Sequence, residues 1–183
     1  MLTVAETRRS LYGALLLFRG RDAGLGYLDR SLDGFWRSFA VVFLLVPLNA
    51  LTMYAVSKSS GQAFGGLFWE QLPILVVNWV AFPIALALVA GPLGVSRDYV
   101  SYVVARNWAA PVSATIMMVP FLLEGAGWLP QTGAALLSLV ALIVVLRFNY
   151  LVLRIALKVA VPLAIGMVIA DFVLTLVIIA ILS

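Results

Sequence analysis

Few side chains in this sequence can do chemistry, and the most conspicuous is Asp171, the single charge in "AIGMVIADFVLTLVIIAIL", Ala164 to Leu182. The chain has no Cys and no His. That removes thiolate nucleophiles, disulfides, imidazole acid–base work and the common zinc and haem sites. No nucleophile with its base, no metal cluster and no pair of acids can be assembled from the spacing. The expectation is a non-enzymatic protein with no cofactor and no metal, in which Asp171 holds most of the interest.

An Asp at the centre of a membrane helix costs about 2.5–3.5 kcal/mol on insertion scales, so Asp171 should face protein or water. At 1.5 Å per residue it lies roughly 18 Å from Ser183 and roughly 20 Å from Lys158, near mid-bilayer. Its expected partners are the polar residues at similar or slightly more external depth: Asn49, Asn78, Ser113, Thr115, and Thr175 one turn along the same helix. Arg106 and Arg147 read as nearer the cytoplasmic boundary, so an ion pair is not the favoured geometry. Two roles follow for Asp171, a hydrogen-bonded group that fixes helix packing or a proton or cation site.

The elements that must position these residues are set by composition. Of 183 residues, 64% are hydrophobic and 11% charged, and the mean hydropathy is +1.11. A soluble domain carries about 25% charge and needs it to cover its surface. The chain reads as a membrane protein. A hydrocarbon core of about 30 Å takes roughly 20 apolar residues per helix, and five segments qualify, about 35–57, 72–93, 99–123, 132–154 and 157–182. The period-2 alternation of a membrane barrel is missing, and backbone groups in lipid must bond internally, so the fold class is all-α, a polytopic helix bundle. Pro47, Pro83, Pro111 and Pro162 fall inside or near the start of four of these spans, where each removes a backbone bond.

Charge orients the bundle. Eleven of the 12 basic residues fall on one side, and Lys58 alone falls on the other. The positive-inside rule then predicts a multi-pass protein with a cytoplasmic N-terminus and an external C-terminus, and ten Arg against two Lys, in a chain so rich in Ala, Leu and Val, point to the bacterial inner membrane and hence a periplasmic C-terminus. Residues 1–34 form a cytoplasmic segment ahead of a bundle at 35–183. The apolar run Leu11 to Phe18 is too short for a signal peptide and ends in Arg19 and Arg21 with no small-residue cleavage pattern. Instead Leu11, Leu15 and Phe18 make one apolar stripe, and Leu25, Leu28, Leu32, Phe35, Trp36 and Phe39 make a second, with "RGRDAGLG" as a turn between them. Both read as amphipathic interfacial helices, with Asp33 and Arg37 paired one turn apart. Arg8, Arg9, Arg19, Arg21, Arg97, Arg106 and Arg147 are the expected contacts to anionic lipid headgroups. Arg106 reads as a snorkelling side chain beside Trp108, with a phosphate site built from Arg97, Arg106 and Arg147 as the alternative.

The five spans, the amphipathic start and the external C-terminus resemble the Yip1-type small membrane proteins, and "YVVARNWAAPVSATIMMVPFLL" is similar to stretches of uncharacterised small membrane proteins of proteobacteria. For bacterial members the resemblance implies no defined activity and no site residue. The expected partners are the bilayer, its anionic lipids, and other membrane proteins or a second copy of the chain, with no nucleic acid. The expected role is an accessory or scaffold protein of a larger membrane complex; the alternative is a small transporter or channel component that uses Asp171.

Overall fold

The computed structural model describes residues 3–182. Met1, Leu2 and Ser183, which the sequence assigns to the ends of the cytoplasmic segment and the bundle, lie outside the described residues.

Thr3 opens the first helix, its side chain accepting the Glu6 N–H at 3.1 Å, a standard way to satisfy an orphan donor at a helix start. Helix α1 runs Val4–Phe18 and is followed by a turn and a 3-10 helix, Asp22–Tyr27. Ser31 caps α2 (Leu32–Ser38) in the same way through the Gly34 N–H at 3.0 Å. A single 3-10 turn, Phe39–Val41, joins α2 to α3 (Val42–Ser60). The remaining helices are α4 (Phe64–Val89), a 3-10 turn at Ser96–Asp98 that leads into α5 (Tyr99–Gly125), α6 (Gln131–Leu157) and α7 (Val161–Leu182), and no strand occurs among the described residues.

Five of these elements are long and apolar enough to cross a bilayer: Leu32–Ser60, Phe64–Val89, Ser96–Gly125, Gln131–Leu157 and Val161–Leu182. This is the all-α, five-span architecture expected of a multi-pass membrane protein. The second span starts eight residues before the expected 72, because Gly61, at φ +74°, ends α3 and the helix resumes at Phe64. Gly65 and Gly66 belong to its first turn, and Pro73 is accommodated inside it.

Mean hydropathy falls to 1.3 in the span of α5 and rises to 2.8 in α7. The least apolar span occupies the centre. Tyr102, Val103, Val104, Ala105, Asn107 and Trp108 are all buried, and α5 packs along α6 and α3 while also meeting α1 and α2. Helix α7 packs instead on α4 and α6. Close approach of α3 and α5 depends on Gly125, where a Cβ would stand 2.6 Å from the Ala55 carbonyl oxygen.

The N-terminal layer differs from the sequence expectation in three respects. Leu25 to Phe39 is not one continuous helix, because Leu28 is extended and Asp29 accepts from the Ser31 N–H and hydroxyl at 3.0 and 2.7 Å, breaking the period. Leu25 and Leu28 are therefore buried while Leu32 and Trp36 are exposed. On α1 the buried face is Ser10, Gly13, Ala14, Leu16 and Leu17, whereas Leu15 of the expected stripe is exposed. Gly24 is the reason: a Cβ there would sit 2.5 Å from the Gly13 carbonyl oxygen, so two glycines let the 3-10 helix lie directly on α1. Finally, Arg37 does not pair with Asp33. It binds Glu6 of α1 at 3.2 Å and Asp29, stitching the start of the first span to the preceding layer.

Candidate functional site

The five spans converge on one cleft of about 250 Å³. Asp171 and Thr175 enter it from α7, Asn78, Trp79 and Leu75 from α4, and Leu45 from α3. Helix α5 supplies Arg106, Ala110, Ser113 and Ala114, residues three or four apart that share one helix face, and α6 supplies Asn149. Every membrane-length helix thus contributes to its wall.

At its centre Arg106 and Asp171 form a bidentate ion pair, with Nη1 donating to Oδ2 at 2.8 Å and Nη2 to Oδ1 at 3.1 Å. The two side chains are 16% and 10% exposed, which makes this a pair within the bundle and not a surface contact. The guanidinium also lies 5.3 Å from the Phe82 ring centroid, a cation–π distance. A fork-shaped cation matches a carboxylate in plane, and two parallel N–H···O bonds fix the geometry of the pair. Arg106 therefore does not snorkel to the boundary, and it cannot join Arg97 and Arg147 in a surface phosphate site. The sequence reading placed the arginine by the depth of its backbone. Its long stem is what carries the charge inward.

Polar atoms surround the pair without being consumed by it. Asn78 Oδ1, Trp79 Nε1, Arg106 Nε and Ser113 Oγ are buried and have no hydrogen-bond partner among the described residues. Buried polar groups almost always find partners, and leaving one without costs about 1–3 kcal/mol; the residues that carry these atoms line the cleft, and a small rotation of each side chain is what would present its polar atom to a molecule there. Two are donors, one is an acceptor and the serine hydroxyl is both. At about 250 Å³, with Asn78, Ser113, Asn149 and Thr175 beside the ion pair in its lining, the cleft has room for a few waters or one small polar solute.

Of the expected polar neighbours, Asn78, Ser113 and Thr175 line the cleft with Asp171. Asn49 stands one turn beyond Leu45, outside the lining, with its Nδ2 buried and unpaired among the described residues. Thr115 faces a different groove and donates to the Pro111 carbonyl at 2.8 Å. Residues two apart on a helix point in nearly opposite directions, so Ser113 and Thr115 cannot both face Asp171. Asn149 and Trp79 were missed by sequence reasoning. Asn149 stands in "RFNY" beside the more conspicuous Arg147, and Trp79 directly follows Asn78, so a search for polar groups at the depth of Asp171 could have found both.

The other arginines lie at the surface. Arg8, Arg9, Arg19, Arg21, Arg97 and Arg147 are exposed, and Arg147 donates to the Phe18 carbonyl at 3.3 Å, tying α6 to the end of α1. Asn107, next to Arg106, points away from the cleft and donates to Ser38 Oγ at 2.8 Å, joining α5 to α2. Among the described residues no cluster of acids can hold a metal ion. No protein-family model, curated protein or solved structure matches the chain.

Proposed function

We propose that this is a non-enzymatic integral membrane protein that accommodates a small polar solute, or water itself, in the Arg106–Asp171 cleft, as a small transporter or channel component. One observation carries the reading: Asn78, Trp79 and Ser113, each with a polar atom left unpaired among the described residues, line the same cleft as a charged pair where all five spans meet. A site built only to lock helices together would spend those groups on one another. The carboxylate is already neutralised by its arginine, so the proposal is solute accommodation and not a lone-acid proton carrier.

The proposal extends to the bacterial inner membrane, supported by the predominance of Arg over Lys, with the N-terminus in the cytosol, supported by the charge asymmetry of the sequence. The likeness to Yip1-type proteins belongs to it too and rests on span number and order. An accessory role in a larger complex is the second reading, supported by Leu32 and Trp36, exposed at 70% and 71% at the start of the first span.

Reconstitution separates the two. Purified protein in liposomes should pass small polar solutes on its own, and Asp171→Asn or Arg106→Gln should change that flux at least severalfold. Liposomes as tight as protein-free controls, with the protein co-purifying with a larger complex in mild detergent whether or not Asp171 is replaced, would give the accessory reading the field.

A further inference from the structure

A second recess lies between the N-terminal layer and the bundle, distinct from the central cleft. Its deeper part, about 630 Å³, is walled by Leu44, Leu48 and Leu51 of α3 and by Val112 and Ile116 of α5. Pro47 and Pro111 notch the two helices where they face it. The hydroxyl of Thr115, the polar side chain in this wall, is turned back to the Pro111 carbonyl, so the surface offered is apolar. Along α3 the wall runs about 10 Å, seven residues at 1.5 Å each.

Leu11 and Leu15 of α1 border this recess, and the same two residues border a shallower hollow of about 610 Å³ that holds Arg8, Arg9 and Tyr12. Apolar slot and basic hollow thus lie side by side, with Leu11 and Leu15 as their shared border. Arg8 makes no hydrogen bond or ion pair among the described residues, and Arg9 uses only its Nε, which donates to the Tyr27 carbonyl at 3.0 Å. That bond fixes the Arg9 guanidinium and leaves its terminal nitrogens for another acceptor. Of the nearby acids, Glu6 and Asp29 are engaged by Arg37, and Arg9 also lies within electrostatic reach of Asp29, so Arg8 is the cation with no acid paired to it among the described residues.

We propose that this groove binds one anionic phospholipid of the leaflet on the N-terminal side, with an acyl chain between α3 and α5 and its phosphate at Arg8 and Arg9. The shape and charge sequence suit an amphiphile: a slot inside the membrane-length helices that lies beside two cations where such a helix would meet the headgroups. A soluble anion would use the hollow and not the slot. An apolar peptide would use the slot and leave the arginines idle. The site is independent of the central cleft, and flux through that cleft has no bearing on it.

The test uses the full chain in phosphatidylcholine vesicles doped with a phospholipid bearing a photoreactive acyl chain. One arm carries a phosphatidylglycerol headgroup and the other a phosphatidylcholine headgroup. Peptides holding Leu48, Leu51, Val112 and Ile116 should be labelled well above the exposed α6 positions Leu136, Leu139 and Ile143, and more by the anionic probe than by the zwitterionic one. Arg8→Gln should lower the anionic preference roughly fivefold, the change expected from about 1 kcal/mol per headgroup contact. Adding Arg9→Gln should bring the two probes together. Groove labelling equal to that of α6, equal labelling by the two probes in the native chain, or an anionic preference untouched by both substitutions would overturn the proposal. So would labelling below the α6 positions, the result for a groove filled by a partner helix or a second copy.

Discussion

Arg106 and Asp171 meet across a space that their helices do not close by packing, since α5 lies chiefly against α6 and α3 and α7 against α4 and α6. With five successive crossings α5 and α7 run in the same direction. Asp171 stands ten residues into α7 and Arg106 seven into α5. The long arginine side chain spans the gap between the two helices, and its guanidinium meets the carboxylate at 2.8 and 3.1 Å.

Breaking this pair from one side should be costly, and removing it from both sides should not. Asp171→Leu or Arg106→Leu leaves a lone charge inside the bundle and should destabilise by about 3–5 kcal/mol, whereas the double replacement should recover most of the loss. Unfolding of all four proteins in one mixed micelle gives the coupling energy directly. A double variant no more stable than the worse single would show that the two residues do not act as a pair.

The cleft should be reachable by water. Because the chain contains no cysteine, Ser113→Cys and Asn78→Cys each create a single reactive thiol. In sealed vesicles both should react with a small water-soluble thiol reagent, while Leu139→Cys, exposed on the outside of α6, should be protected by lipid. Protection of all three would mean that the cleft is dry.

Gly24→Ala and Gly125→Ala should each destabilise by about 1–3 kcal/mol, because the added methyl meets a backbone carbonyl oxygen at 2.5 or 2.6 Å and backbone has little room to yield. Their consequences should differ. The first should loosen only the N-terminal layer, seen as faster hydrogen exchange in α1, and the second should lower the stability of the whole bundle by separating α3 from α5.

Acid should release the N-terminal layer. The Ser31 hydroxyl and N–H donate to Asp29, and with the Arg37 guanidinium beside it they hold its carboxyl below the usual carboxylate range. A depressed value in the folded state means that the contribution is complete above the ordinary carboxyl pKa of about 3.9 and is lost as pH falls through the lower folded value. Proteolysis between α1 and α2 should therefore rise at pH below about 4, and Asp29→Asn should be susceptible at neutral pH with a flatter pH profile.

Length and apolarity of five segments, turn residues between them and the mid-helix position of Asp171 were all legible in the sequence, because crossing a bilayer imposes a length and a polarity that no tertiary contact can waive. Span ends shifted where a glycine read as a turn belonged to a helix, as at Gly65 and Gly66. Which polar residues share a wall was not legible, because depth gives one coordinate and the rotation of each helix, set by packing, gives the other. That rotation kept Ser113 beside Asp171 as depth suggested, and turned Thr115, two residues on, into a different groove. Nor could depth alone show that Arg106 bends inward, since a flexible side chain goes wherever its charge is best compensated, and only the assembled bundle put a carboxylate within its reach.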